Sequence, residues 1–233
     1  VTLRLRFTPG SPFARVVRVV LAERRLDYEA VEDDGAGPAE ERRPDAPTLM
    51  VPALRDGDLR LWDSLVIVEH LMTRHPARRG GAPDDPPLAP SLLRRDRETQ
   101  DRLALATLQT LCASITLVSQ LRWSGVGLEN GFVARNVERV DHLLDWCEEV
   151  IRDAGDGRGF VPGILSVQDI FLASALSFAE NRPIGIDWRS RQRDRVGALV
   201  DRLERRQSFI ANPVRWWEPG VTGYRPDGTP TYA

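Results

Sequence analysis

Leu3, Leu5 and Phe7 alternate with Thr2, Arg4 and Arg6, a period of two that puts one face of a strand into a core and the other toward water. Thr8-Pro9-Gly10 ends that strand. Ser11-Pro12 then joins a helix-capping residue to a proline at the first helical position, where its missing N–H costs nothing. Phe13, Val16, Val17, Val20 and Leu21 recur at spacings of three and four, so a helix with one apolar stripe follows, with Arg15, Arg18, Glu23 and Arg24 largely off it. Residues 27–31 predict a short second strand, and the acidic, proline-containing stretch 33–47 a loop with one weak helical turn. Residues 48–54 and 59–62 flank Asp56-Gly57 as the arms of a hairpin, with Pro52 standing where an ordinary central strand does not tolerate it. Asp63-Ser64 opens a further helix, on which Leu65, Val68, Leu71 and Met72 share a face.

Beyond residue 76 the pattern changes. Residues 76–90 are rich in Pro, Gly, Arg and Asp and have no apolar periodicity, as expected of a linker, and no strand pattern returns after them. Residues 92–122, 132–153, 167–180 and 189–206 all read as helices, and 212–233 as an irregular tail wrapping the surface. The predicted class is α+β: a βαβ-ββα domain over residues 1–77, a linker over 78–90, and a C-terminal all-α helical bundle domain with its tail over 91–233.

Charge narrows the possible partners. The net charge of -2 arises from interspersed basic and acidic residues, so no field for nucleic acid or an anionic membrane is expected. Every basic residue is arginine, which removes any mechanism needing a Schiff-base lysine. Cys112 and Cys147 belong to no CxxC pair and have no histidine at metal-ligand spacing, so they read as buried, reduced thiols of a cytosolic protein, and no metal is expected. The N-terminal residues lack the apolar run of a signal peptide. The longest apolar stretch, 103–118, is broken by Thr107, Gln109, Thr110, Ser114 and Thr116 and falls short of a membrane span. His70, His75 and His142 read as isolated surface or helix residues, and Trp123 and Phe132 as core in preference to a pocket lining.

Four short motifs occur in order: Ser11-Pro12-Phe13, Met50-Val51-Pro52-Ala53-Leu54, Leu61-Trp62-Asp63-Ser64-Leu65 and Ser166-Val167-Gln168-Asp169. With this order and spacing the chain resembles the cytosolic glutathione S-transferase superfamily over nearly its whole length. Asp187-Trp188-Arg189 and Arg206-Gln207-Ser208-Phe209 further resemble a bacterial branch of serine-type glutathione transferase-like proteins. The resemblance implies a thioredoxin-like N-terminal domain that binds glutathione as co-substrate without a metal, an apolar electrophile as second substrate, a cytoplasmic homodimer, and a detoxifying transferase activity.

The resemblance also assigns roles to residues. A thiol of ordinary pKa, ~8.5, is mostly protonated at neutral pH, and a hydroxyl at a helix N-terminus, here Ser11, stabilises the thiolate by its hydrogen bond and by the helix dipole. On its own residues Ser11 reads first as a plain cap, and the other motifs turn the reading to the catalytic role, with Thr8 the nearest substitute hydroxyl. The first tyrosine is Tyr28 and the first domain has no cysteine, so the tyrosine and cysteine versions of the site have no candidate. Phe13 and Met50 border the peptide, and Val51, before a cis Pro52, pairs with it through main chain. Asp63 and Ser64 take its γ-glutamyl end. Ser166 and Asp169 form a capping box that serves folding. One departure stands out: 46–50, Ala-Pro-Thr-Leu-Met, lacks the polar or basic contact of the family at the glycyl end. Arg42 or Arg43 replaces it, or affinity is low, or the thiol ligand differs. A non-catalytic scaffold protein and a glutathione-dependent isomerase or dehalogenase using the same Ser11 are the alternatives.

Overall fold

Strand β1 (Leu3–Phe7) buries Leu3, Leu5 and Phe7 and leaves Arg4 and Arg6 half-exposed, as the alternation requires. The computed structural model describes residues 3–33, 39–75, 86–180, 182, 185–189, 192–215, 221–224 and 230–232. Helix α1 (Pro12–Glu23) crosses over to β2 (Tyr28–Glu32), which pairs parallel to β1. A single helical turn, α2 (Ala39–Arg42), follows. Then come the antiparallel strands β3 (Ala53–Asp56) and β4 (Leu59–Trp62) and helix α3 (Ser64–Arg74). The sheet order is β2-β1-β3-β4, with β1 antiparallel to β3. This is the predicted thioredoxin-like arrangement, with the two long helices packed on each other and α3 also on β3 and β4.

Two details differ from the sequence expectation. The first hairpin arm begins at Ala53 and not near Thr48, because Leu49 stands at φ +57° and Val51-Pro52 is a cis peptide, neither of which fits a ladder. On α3 the buried face is Ser64, Ile67, Val68, Leu71 and Met72, with Leu65 at its margin.

The chain divides into two compact units, one comprising Val1–Gly80, Pro90–Leu92 and Gln207–Ala233, the other Gly81–Ala89 and Leu93–Arg206. Residues 78–85 of the expected linker lie outside the described residues. The C-terminal segment, assigned from sequence to the second domain, thus groups with the first. Helix α8 (Gln207–Ile210) packs on α1. That placement overturns the expectation for two arginines of α1, Arg15 being 1% and Arg18 6% exposed, while Arg24, just past the helix end and 1% exposed, is held by the carbonyls of His75 and Pro90. Arg15 donates to the carbonyls of Asn212 (2.8 Å) and Phe209 (3.4 Å) and stacks on the Phe209 ring. Arg18 donates to the carbonyls of Pro213 (3.1 Å) and Pro9 (3.4 Å) over the Phe7 ring. Burial pushes the Arg18 guanidinium down to about 10, still charged at neutral pH. The expected irregular tail also holds two short antiparallel strands, β5 (Val221–Tyr224) and β6 (Pro230–Tyr232).

The second unit is built around α6 (Val167–Glu180), whose residues are buried on every side through Ala179, the signature of a central helix. Helices α4 (Glu98–Trp123) and α7 (Asp194–Glu204) pack against it, and α5 (Gly131–Asp153) packs against α4 and α7. Helix α4 is long and apolar enough to cross a membrane, and it buries Leu105, Leu108, Leu111, Cys112, Ile115 and Val118 in this bundle. Cys112 and Cys147 are free and buried, and burial pushes both thiols up. Trp123 and Phe132, expected in the core, are 46% and 51% exposed. At the start of α6 the Asp169 carboxylate accepts from the Ser166 N–H (2.8 Å), the Ser166 hydroxyl (2.7 Å) and the Phe160 N–H (2.9 Å), while Ser166 Oγ accepts from the Asp169 N–H (3.2 Å). Gly159 lies so close that a Cβ there would stand 2.7 Å from the Asp169 carboxylate, so any side chain would displace it.

Candidate functional site

The register of the sheet brings the first three motifs to one end of it. Ala53 of β3 faces Arg6 of β1 on one side and Trp62 of β4 on the other. The chain just beyond those residues, 8–11 after β1, 51–52 before β3 and 63–64 after β4, therefore lies along a common edge.

The turn leaving β1 is tied down by its own groups. Thr8 Oγ1 donates to the Asp33 carbonyl (2.8 Å), and the Ser11 N–H donates to the Thr8 carbonyl (2.9 Å). Thr8 is thereby engaged in holding the turn. Ser11 sits at the N-cap of α1 with φ -83° and ψ 120°, and its Oγ accepts from the Ala14 N–H at 3.2 Å. A hydroxyl that accepts in a cap keeps its own hydrogen to donate, so capping and stabilising an anion are compatible at this position. Phe13 is half-buried one residue into the helix.

The approach to β3 is held by ion pairs. Asp45 is buried between Arg6 (2.7 Å) and Arg55 (2.6 Å), and the Pro44 carbonyl accepts from Arg55 and Arg60. Burial alone would push the Asp45 carboxyl up, but the two guanidinium hydrogen bonds outweigh it and hold Asp45 below the usual carboxylate range. From this anchor the chain passes Leu49 and Met50, which is 67% exposed, to Val51. Val51 forms no backbone hydrogen bond among the described residues, so its N–H and C=O are open beside the cis Pro52. Arg42, one of two candidates for a missing basic contact, pairs with Asp33 at 3.2 Å; Arg43, the other, is exposed.

At the start of α3 the cap is Asp63. Its Oδ1 accepts from the N–H groups of Leu65 (2.9 Å) and Val66 (3.3 Å), from a residue held at φ +71° and ψ 128°. A non-glycine residue there costs on the order of 1–3 kcal/mol, which the surrounding structure must supply. Ser64 is left without the capping role: its Oγ is buried with no hydrogen-bond partner among the described residues. The Leu65 and Val66 N–H groups are taken by Asp63, so what this helix start offers a carboxylate is the buried Ser64 hydroxyl and the positive end of the helix dipole.

Sequence reasoning missed the Asp45 anchor, because nothing local marks Asp45 as the partner of Arg6, 39 positions away. It also took His70 and His75 for isolated residues, whereas both rings meet Asp56 at the opposite end of β3. In the helical unit a cavity of about 530 Å³ is lined by Leu128, Val137, Leu144, Ile186, Trp188 and Arg193 among others, so Trp188 of the Asp187-Trp188-Arg189 motif serves that cavity.

Comparison with known proteins agrees with this architecture. Residues 5–79 match the family model described as glutathione S-transferase, N-terminal domain. A glutathione S-transferase of Methylobacterium radiotolerans in complex with glutathione sulfonate is 26% identical, superposing over 91% of this chain and 94% of that one with a TM-score of 0.73. One from Methylobacillus flagellatus with glutathione bound is 23% identical over 91% and 98%, with a TM-score of 0.71. Ure2p in complex with S-hexylglutathione is 20% identical over 91% and 97%, with a TM-score of 0.73.

Proposed function

This chain belongs to the glutathione S-transferase superfamily, and from that premise we propose that it binds glutathione along the sheet edge of its first unit and ionises the thiol at Ser11. The γ-glutamyl carboxylate takes the Ser64 hydroxyl at the positive end of the α3 dipole, and the exposed Asp63 carboxylate faces the ammonium group. The peptide main chain pairs with the open N–H and C=O of Val51 as an added strand would, with Phe13 and Met50 at its margins. Ser11 then donates to the sulfur. A neutral hydrogen bond and a helix N-terminus each contribute ~1 kcal/mol, which together bring a thiol from about 8.5 to about 7 and raise the thiolate from a few per cent to about half at neutral pH. The thiolate attacks an electrophilic carbon of an apolar compound; the carbon–sulfur bond forms, and the displaced pair leaves with the leaving group or stays on the adduct to take a proton from water.

The observation that carries this reading is a pair of groups at one end of the sheet, the Val51 main chain and the buried Ser64 hydroxyl, that have no hydrogen-bond partner among the described residues. A cytoplasmic homodimer completes the proposal. The exposed apolar side chains Leu59, Trp62 and Val66 on the β4 and α3 side of this unit are what such an interface would cover.

A second reading, a non-catalytic scaffold of the same fold, is favoured by Leu49 and the exposed Met50 where a polar contact to the glycyl end is expected, and by the engagement of Arg42 with Asp33. A glutathione-dependent isomerase or dehalogenase would share the Ser11 chemistry. Titration calorimetry with glutathione and with an S-alkyl glutathione separates the classes. Binding of roughly -4 to -8 kcal/mol supports the thiol-binding readings, and no heat from either ligand puts the scaffold first.

A further inference from the structure

The end of the sheet opposite the thiol-binding edge carries a cluster that this function does not use. Asp56, the last residue of β3, faces Leu3 at the start of β1, about 10 Å along the strand from Ala53. His70 Nε2 lies 2.8 Å and His75 Nε2 3.1 Å from the same oxygen, Asp56 Oδ2, and the three ligand atoms are all within 4.8 Å of one another. On a continuous helix residues five apart point about 140° away from each other. The helix ends at Arg74, and His75, at φ -120° and ψ 83°, turns its ring back, so that the two imidazoles meet edge to face at 6.0 Å.

We propose that Asp56, His70 and His75 form a binding site for a divalent transition-metal ion, zinc in the first instance, which staples the β3–β4 hairpin to the C-terminal end of α3. Two imidazole nitrogens and one carboxylate oxygen are a ligand set that suits zinc and its neighbours and not magnesium or calcium, which require more oxygens. Zinc at ~2.0–2.1 Å from each ligand holds neighbouring ligands about 3.3 Å apart, so the two His–Asp separations open by only about 0.2–0.5 Å to admit it, with water as fourth ligand. The Nε2 protons that now bond Asp56 move to Nδ1 when the metal takes their place.

The scaffold is preorganised. Arg24, buried at the end of α1, donates to the His75 carbonyl and, at 3.1 Å, to the Pro90 carbonyl, fixing the backbone that carries the second imidazole. The thiols of Cys112 and Cys147 are buried and do not compete, and His142 is the only other histidine.

The test uses untagged full-length protein without glutathione, titrated with zinc by calorimetry and with cobalt by visible absorption. One zinc per chain at micromolar affinity is expected, with a visible cobalt spectrum and a higher melting temperature in zinc. His70→Ala and His75→Ala should each weaken zinc by more than the ~10–100-fold typical of losing an outer-shell partner. His142→Ala and Ser11→Ala should leave zinc binding unchanged, so failure here is distinct from failure of the thiol reading. His70→Gln, which keeps an N–H for Asp56 but ligates metal poorly, guards against a folding defect, because it should remain folded and still lose zinc. No binding at about 100 µM zinc, or binding that survives in all of the Asp56 and histidine variants including Asp56→Asn, overturns the site and leaves a hydrogen-bonded brace.

Discussion

Arg15 of α1 donates from Nε to the main-chain carbonyl of Asn212 at 2.8 Å, a contact between residues 197 positions apart. A buried guanidinium and a buried carbonyl satisfy each other there, and the Phe209 ring covers the cation. Arg15→Met keeps the bulk and removes the donors, leaving the carbonyls of Phe209 and Asn212 short of a partner. The expected loss is about 3 kcal/mol, read as a lower urea midpoint at unchanged slope, with Arg15→Lys intermediate.

Ser11→Ala separates chemistry from binding. The variant keeps the N-terminus of α1 and every group proposed to hold the peptide, and it loses the hydrogen that the proposal directs to sulfur. Turnover per unit substrate should fall by about fivefold, the value of the ~1 kcal/mol hydrogen bond to sulfur, while the dissociation constant of an S-alkyl glutathione, which has no thiol to ionise, moves by less than about twofold. Equal losses in both would assign Ser11 to capping alone.

Ser64→Ala makes the opposite separation. Because Ser64 Oγ is buried and unpaired in the free protein, its removal should leave the thermal midpoint unchanged or raised. Glutathione affinity should nevertheless drop about tenfold, the value of a hydrogen bond to a charged group. A variant that lost stability and kept affinity would count against the carboxylate reading of this position.

Asp45 sets a pH dependence. Its carboxyl lies below the unfolded value, so as pH falls the unfolded chain takes up the proton first and the folded state loses ground. This contribution is fully present above the ordinary carboxylate range and is lost as pH drops through it toward the folded pKa. Urea midpoints followed from pH 7 to about 3 should therefore decline less steeply for Asp45→Asn, which starts lower, than for the wild type.

The parts of this fold legible in the sequence are those whose cause is local. Leu3, Leu5 and Phe7 specify their strand by alternation, Ser11-Pro12 a helix start, and Asp56-Gly57 a turn, with Gly57 at φ +61°. Arg15 and Arg18 went the other way because a segment about two hundred residues later covers them, to which no periodicity of α1 refers. Trp123 and Phe132 are long apolar side chains near helix ends, a composition equally suited to core and surface. His70 and His75 sit at a spacing that separates them on an ideal helix, so only the break after Arg74 reveals their convergence on Asp56. At the thiol edge, the motifs located Ser11, Val51 and Ser64, while the strained φ of Asp63 and the orphaned state of the Ser64 hydroxyl belong to three-dimensional context.

The interlacing of residues 207–215 with α1 also has a temporal side. The carbonyls of Asn212 and Pro213 that Arg15 and Arg18 reach are translated 197 and 195 positions after them, a delay of roughly 10–40 s at ~5–20 residues per second. During that interval the nascent sheet and its helices must survive with two charged side chains uncovered on α1, or wait in the care of a chaperone. The unit that carries α1 is thus closed only after the helical unit has been translated, and a ribosome stalled within the helical unit would hold a chain whose α1 still lacks its cover.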